Sequence, residues 1–183
     1  MIHRLQRHPF AVEAHFERTL VLTYALPTGV LESLLPPGLT LDRYGPYGFI
    51  AVAMVQTRRL HPAWWPACAG LDFGLTGYRI FARYRTRAGR TLRGLRILRS
   101  DTDRWTMVLA GNALTHYHYR RARMRWRADD TTLRVRIDTP RAAADVDVTA
   151  DLAAAGSLPA GSVFRNAHDA RQFAGPLPFT FDY

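Results

Sequence analysis

The 183 residues include twenty-five arginines, no lysine and fifteen acids, for a formal charge of +10, and 48% of them are hydrophobic. That composition excludes a disordered chain and supplies one core able to bury roughly 70% of the unfolded surface, so a single domain over 1–183 is expected. One cysteine, Cys68, excludes an intrachain disulfide, and the longest early apolar run, Thr19 to Leu26, is too short for a membrane span and lacks the n-region and cleavage site of a signal peptide. A cytoplasmic protein with no membrane span is the expectation.

In chain order, β signals dominate. Thr19 to Tyr24 is rich in β-branched and aromatic residues and runs to Pro27, as a strand entering a turn does. Thr28 is placed to cap a short helix with Val30, Leu31, Leu34 and Leu35 on one side, stopped by Pro36-Pro37-Gly38. Leu39 to Tyr44 and Tyr47 to Arg58 read as two strands, and His61 to Gly74, with its Pro, Trp and Gly residues, reads as a long loop. Two hairpins follow. Gly77 to Thr86 and Thr91 to Arg99 flank Ala88-Gly89, and Tyr117 to Ala128 and Thr131 to Asp138 flank Asp129-Asp130. A helix between them, with Trp105, Val108, Leu109 and Ala113 at helical spacing, is predicted to be capped by Asp101 or Thr102. An alanine-rich stretch, Ala142 to Ala155, carries an Asp145-Val146-Asp147-Val148 alternation, and a short helix is predicted over Phe164 to Gln172. The last residues, Pro178 to Tyr183, read as the inside of a strand, which predicts a partner strand outside these residues.

The arginines are not spread evenly. Sixteen lie between Arg79 and Arg136 against four acids, while the remaining nine stand against eleven. A field of one sign over one region steers phosphates, carboxylates or anionic surfaces towards it. A GC-rich genome accounts for arginine in place of lysine but not for the clustering. Along the strand from Tyr119, Arg121, Arg123, Arg125 and Arg127 share one face, which is read as solvated. In Thr91 to Arg99, either face carries an arginine, so an inward one needs Asp101, Asp103 or an anionic ligand as partner.

The element Pro27-x-x-Val30-Leu31-x-x-Leu34-Leu35-Pro36-Pro37-Gly38-Leu39-x-Leu41 and the long strand after it resemble the start of the YqjF-like uncharacterised proteins, which in turn resemble acetoacetate decarboxylase. Gly94 through Asp101-Thr102-Asp103, and the helix followed by His116 to Met124, resemble further landmarks of that family. The resemblance implies an α+β, mainly β fold: an acetoacetate decarboxylase-like antiparallel β-barrel or strongly bent sheet, with short flanking helices. It also implies a Schiff-base lysine, which would fall near His118-Tyr119. A chain without lysine excludes that mechanism.

The expected ligand is therefore a small organic anion, held without a cofactor by Arg79, Arg96, Asp101, His118 and Tyr119. Arg79 resembles an arginine of the family's Asn-x-Arg-x-Tyr strand motif, here Gly77-Tyr78-Arg79-Ile80-Phe81. His116 and His118, two apart on an expected strand, have no acid or third ligand at useful spacing, so no metal site is assigned. Two other functions compete. Arginine interleaved with Tyr, Met and Trp from Tyr117 to Arg127 would suit nucleic acid, and a loop bearing Trp64 and Trp65 would suit a protein partner.

Overall fold

The computed structural model describes residues 10–154, 158–175, 177 and 179–181. Four long strands form an antiparallel spine in the order β1 (Val12–Pro27), β3 (Tyr47–Pro62), β4 (Leu71–Arg85) and β5 (Thr91–Thr102). Short strands extend β4 and β5. β2 (Leu39–Leu41) pairs with Ala82–Tyr84 of β4, beyond the end of the β3 pairing. β6 (Tyr119–Arg121) and β10 (Phe179–Phe181) both pair in parallel with β5, at Ser100–Thr102 and Gly94–Arg96. A second antiparallel sheet contains β7 (Arg123–Ala128), β8 (Thr132–Asp138) and β9 (Val146–Asp151). The helices are α1 (Thr28–Glu32), α2 (Trp105–Leu114) and α3 (Ala167–Ala174). The mainly β class holds, but among the described residues both sheets are open and no barrel closes.

Register sorts the large sheet into two sides, because successive side chains of a strand point oppositely. On one side, Met54, Leu20 and Leu22 pack against Leu133, Val135 and Ile137 of the small sheet, and Ile80 packs with Leu31 of α1. This is the sandwich side. On the other, Phe49 and Phe81 meet Phe164 and Phe173 near α3, while Phe73 and Leu75 meet Met107 of α2 and Tyr119. This is the helix side. Among the described residues, fully buried side chains include Phe49, Met54, Ile80 and Val135, so both sides contribute core.

Several sequence expectations give way. β1 and β4 are longer than predicted, and the stretch read as a loop from His61 to Gly74 includes the end of β3 and the start of β4, with a turn and one 3-10 segment, Ala67–Ala69, between them. Asp101 and Thr102 do not cap α2. They are the end of β5, the N-cap is Arg104, and Asp103 Oδ1 instead accepts the Gly74 amide at 2.8 Å. The predicted strand from Tyr117 is two strands in two sheets, parted at Ala122, whose amide still donates to Thr102 at 2.9 Å. Both hairpin turns stand. Gly89 takes a positive φ of 80° at the first, and Asp129 accepts the Thr131 and Thr132 amides at 2.8 and 2.7 Å at the second.

Candidate functional site

α2 and the segment after it are fitted around one aromatic residue. Asn112 grips the backbone of Tyr119 with both ends of its amide: Nδ2 donates to the Tyr119 carbonyl at 2.9 Å and Oδ1 accepts the Tyr119 amide at 2.7 Å. Gly111 makes room for the ring, for a Cβ there would stand 2.3 Å from the Tyr119 ring. His118 just before it takes a left-handed φ of 52°, and its side chain is exposed. The result is a tyrosine seated against the helix side of the large sheet, with burial pushing its hydroxyl pKa up to about 12.

Between α2 and the strands lies a cavity of about 500 Å³, open where Phe16 of β1 is 63% exposed. Phe73, Leu75, Met107 and Tyr119 give it an apolar wall. Thr57 of β3 also lines it, only 2% exposed, and its Oγ1 has no hydrogen-bond partner. A buried hydroxyl left so costs free energy that a ligand can return.

Arg79 lies further along the same side of β4, two residues past Gly77, which is itself two past Leu75. Its side chain folds back: a Cβ on Gly77 would lie 2.7 Å from Arg79 Nε and 3.0 Å from Nη2. The guanidinium therefore sits at the level of Gly77, towards the cavity. Among the described residues its Nε is buried without a partner and no carboxylate pairs with it. Burial lowers its pKa, with Tyr117 and Tyr119 opposing. A guanidinium stays charged regardless, so the group is a cation in want of an anion.

The five residues predicted from sequence do not form one site. Arg79 and Tyr119 come together on the helix side. Arg96 stands opposite Ile80 and Asp101 opposite Thr76, both on the sandwich side. There Asp101, wholly buried, accepts from Arg99 Nε at 2.8 and 2.9 Å, which is the carboxylate partner foreseen for an inward arginine. A bulge explains the arrangement: Tyr78 pairs with Arg99 but Arg79 pairs with Ile97, so the extra residue Leu98 turns Arg99 to the face of Arg96. Strict alternation put these two arginines on opposite faces. His118 points to solvent, and since His116 and His118 precede β6, they do not share a strand face. Among the described residues no cluster of metal-ligating side chains occurs.

Sequence reasoning missed two features. Asp42, wholly buried, accepts from Arg83 Nε at 2.5 Å and Arg93 Nε at 2.7 Å, pairing arginines from both strands of the first hairpin. The cavity wall Phe73-x-Leu75 fell in and beside the stretch read as loop, although its alternation continues through Gly77 and Arg79 to Phe81. Elsewhere, Arg123, Arg125 and Arg127 are exposed as predicted, while Arg121, expected on the same solvated face, is half-buried with Nη1 buried and unpartnered; Asp138 and Asp147 engage Arg125, Arg134 and Arg136 at 2.8 to 3.0 Å. Much of that basic surface is thus internally compensated. Trp64 and Trp65 are 64% and 53% exposed, with Phe10 edge-on to Trp64.

A family model, DUF2071, described as an uncharacterized conserved protein, matches residues 13–169. No curated protein matches the chain. Among solved structures it is similar to acetoacetate decarboxylase from Legionella pneumophila, at 15% identity and a TM-score of 0.56, over 78% of this chain and 51% of that one. The enduracididine biosynthesis enzyme MppR complexed with pyruvate is similar at 11% identity and 0.53, over 73% and 54%. An acetoacetate decarboxylase-like enzyme from Sphingomonas wittichii RW1 is similar at 15% and 0.51, over 73% and 54%. The chain thus spans about half the length of these structures, and at such identities the likeness is one of fold.

Proposed function

The chain belongs to the DUF2071 family, and from that premise we propose that it binds a small organic anion, non-covalently, on the helix side of its large sheet. Arg79 is the charge partner and Tyr119 the neighbouring wall. The observation that carries this reading is the guanidinium of Arg79, buried at Nε and without a carboxylate among the described residues. A cation in that position is stabilised by an incoming carboxylate, and the bidentate fork of arginine matches carboxylate geometry. Support also comes from a structural neighbour of similar fold that holds pyruvate.

A Schiff base is not part of the proposal, because the chain has no lysine to form one. Arg96, Asp101 and His118 belong to other surroundings and are left out of the site. The basic surface of the small sheet earns no second reading, given its own carboxylates.

Thermal unfolding with acetate, pyruvate and acetoacetate tests the proposal, since a ligand bound only by the folded state raises the midpoint with its concentration. The wild type is expected to respond and Arg79→Gln to lose at least tenfold in affinity. An equal response from both proteins would overturn it.

A further inference from the structure

Resting on the reading of Arg79 as anion partner, we infer that the ligand is a medium-chain carboxylic acid bearing an oxygen towards the far end of its chain. On β4 the cavity lining ends at Leu75 and the cation lies beyond it, at the level of Gly77, so a ligand that joins the two must extend from one to the other. The guanidinium sits at the level of Gly77, which pairs with Ala53 of β3, and Thr57 pairs with Phe73. Four residues of strand separate those levels, about 13 Å at ~3.3 Å per residue. A two- or three-carbon acid held at Arg79 would leave most of a 500 Å³ apolar space unfilled. An alkyl chain running from Arg79 past Leu75 to Phe73 and Met107 would fill it.

The far end carries its own mark. Thr57 Oγ1 is buried, unpartnered and part of the cavity lining, beside Phe16, Phe73, Leu60 and His61, whose Nδ1 is already engaged with the Arg59 carbonyl. A wholly alkyl chain would leave that hydroxyl without a partner. An ω-hydroxyl or keto oxygen would complete it, and a polar group in an apolar pocket discriminates strongly between ligands that do and do not satisfy it. The opening at β1 and α2 lets the chain enter from the side, where Ala110 is exposed at the rim.

The test is calorimetric titration of the intact chain with butyrate, octanoate, decanoate, dodecanoate, decanol and ω-hydroxydecanoate. Affinity is expected to rise roughly threefold to fourfold per methylene and to level off near decanoate. ω-Hydroxydecanoate should bind more tightly than decanoate in the wild type, and Thr57→Val should remove that preference. Ala110→Trp should weaken decanoate at least tenfold. The chain-length series needs no variant, so it decides the matter even where a substitution prevents folding. If acetate and pyruvate bind through Arg79 but decanoate binds no better than butyrate, the inference falls and the anion site stands. If decanol matches decanoate and Arg79→Gln changes neither, the anion site itself falls, and the inference with it. A decanoate preference that Thr57→Val does not touch would overturn the oxygenated tail.

Discussion

Arg79 and Arg99 lie on neighbouring strands of one hairpin, and the sheet treats them oppositely. Arg99 faces the sandwich side, where Asp101, two residues on, supplies both carboxylate oxygens to its Nε and the Tyr78 ring lies 5.9 Å away. Arg79 faces the helix side, where its strand neighbours are Ala51 and Ile97 and, among the described residues, no carboxylate pairs with it. One arginine is a finished internal pair and the other an unfinished one. The comparison teaches that burial of an arginine does not announce function; the missing counterion does.

Breaking the finished pair should have the largest effect. Asp101→Ala leaves Arg99, whose side chain is 14% exposed, without its partner, and is expected to cost about 3–5 kcal/mol by denaturant unfolding. Arg99→Met combined with Asp101→Ala should recover most of that loss. If the two single costs simply add, the residues are not acting as a pair.

Next in size is the support beneath Tyr119. Gly111→Ala gains about 1 kcal/mol of helix propensity but drives a methyl into the tyrosine ring, for a net loss of about 1–2 kcal/mol and weaker anion binding. Unchanged stability and binding would show that the ring moves freely.

Removing the unfinished cation should have a smaller effect of the opposite sign. Arg79→Met exchanges a guanidinium whose Nε is buried without a partner for a thioether, so without ligand the protein should unfold at the same or slightly higher denaturant, by up to about 1 kcal/mol. A loss as large as that of Asp101→Ala would mean Arg79 is structural after all, and the contrast between the two arginines would collapse.

The smallest expected signal is in pH. Burial raises the Asp101 carboxyl pKa above its ordinary 3.8, and Arg99 only partly opposes this. The folded state therefore holds the proton more tightly than the unfolded chain. Stability from this proton is fully present below 3.8 and is lost as pH rises through the raised value. Asp101→Asn should flatten the part of the curve that lies above 3.8.

Local chemistry made much of the fold legible. β-branched runs gave strands, Gly89 and Asp129 marked turns, and alternation correctly left Arg123, Arg125 and Arg127 in water. What escaped depends on pairing partners. The bulge at Leu98 changes no residue type, yet it moves Arg99 across the sheet. The break at Ala122 keeps the apolar period intact while handing the chain from one sheet to another. Asp42 sits between a short strand and a turn, with nothing local to foretell two arginines from a distant hairpin. Of the site, Arg79 and Tyr119 were legible as residue types; Thr57 and the cavity wall needed the register of β3 on β4.

The outer edge of β5 is shared by two short parallel strands with very different histories. β6 returns to it after a loop of fewer than twenty residues, β10 only after more than eighty. Closing the longer loop costs about 1 kcal/mol more in chain entropy, for three residues of pairing in each case. β10 is therefore the later strand to dock during folding and the earlier to leave, so amide exchange along that edge should begin at Gly94–Arg96 and spread towards Ser100–Thr102.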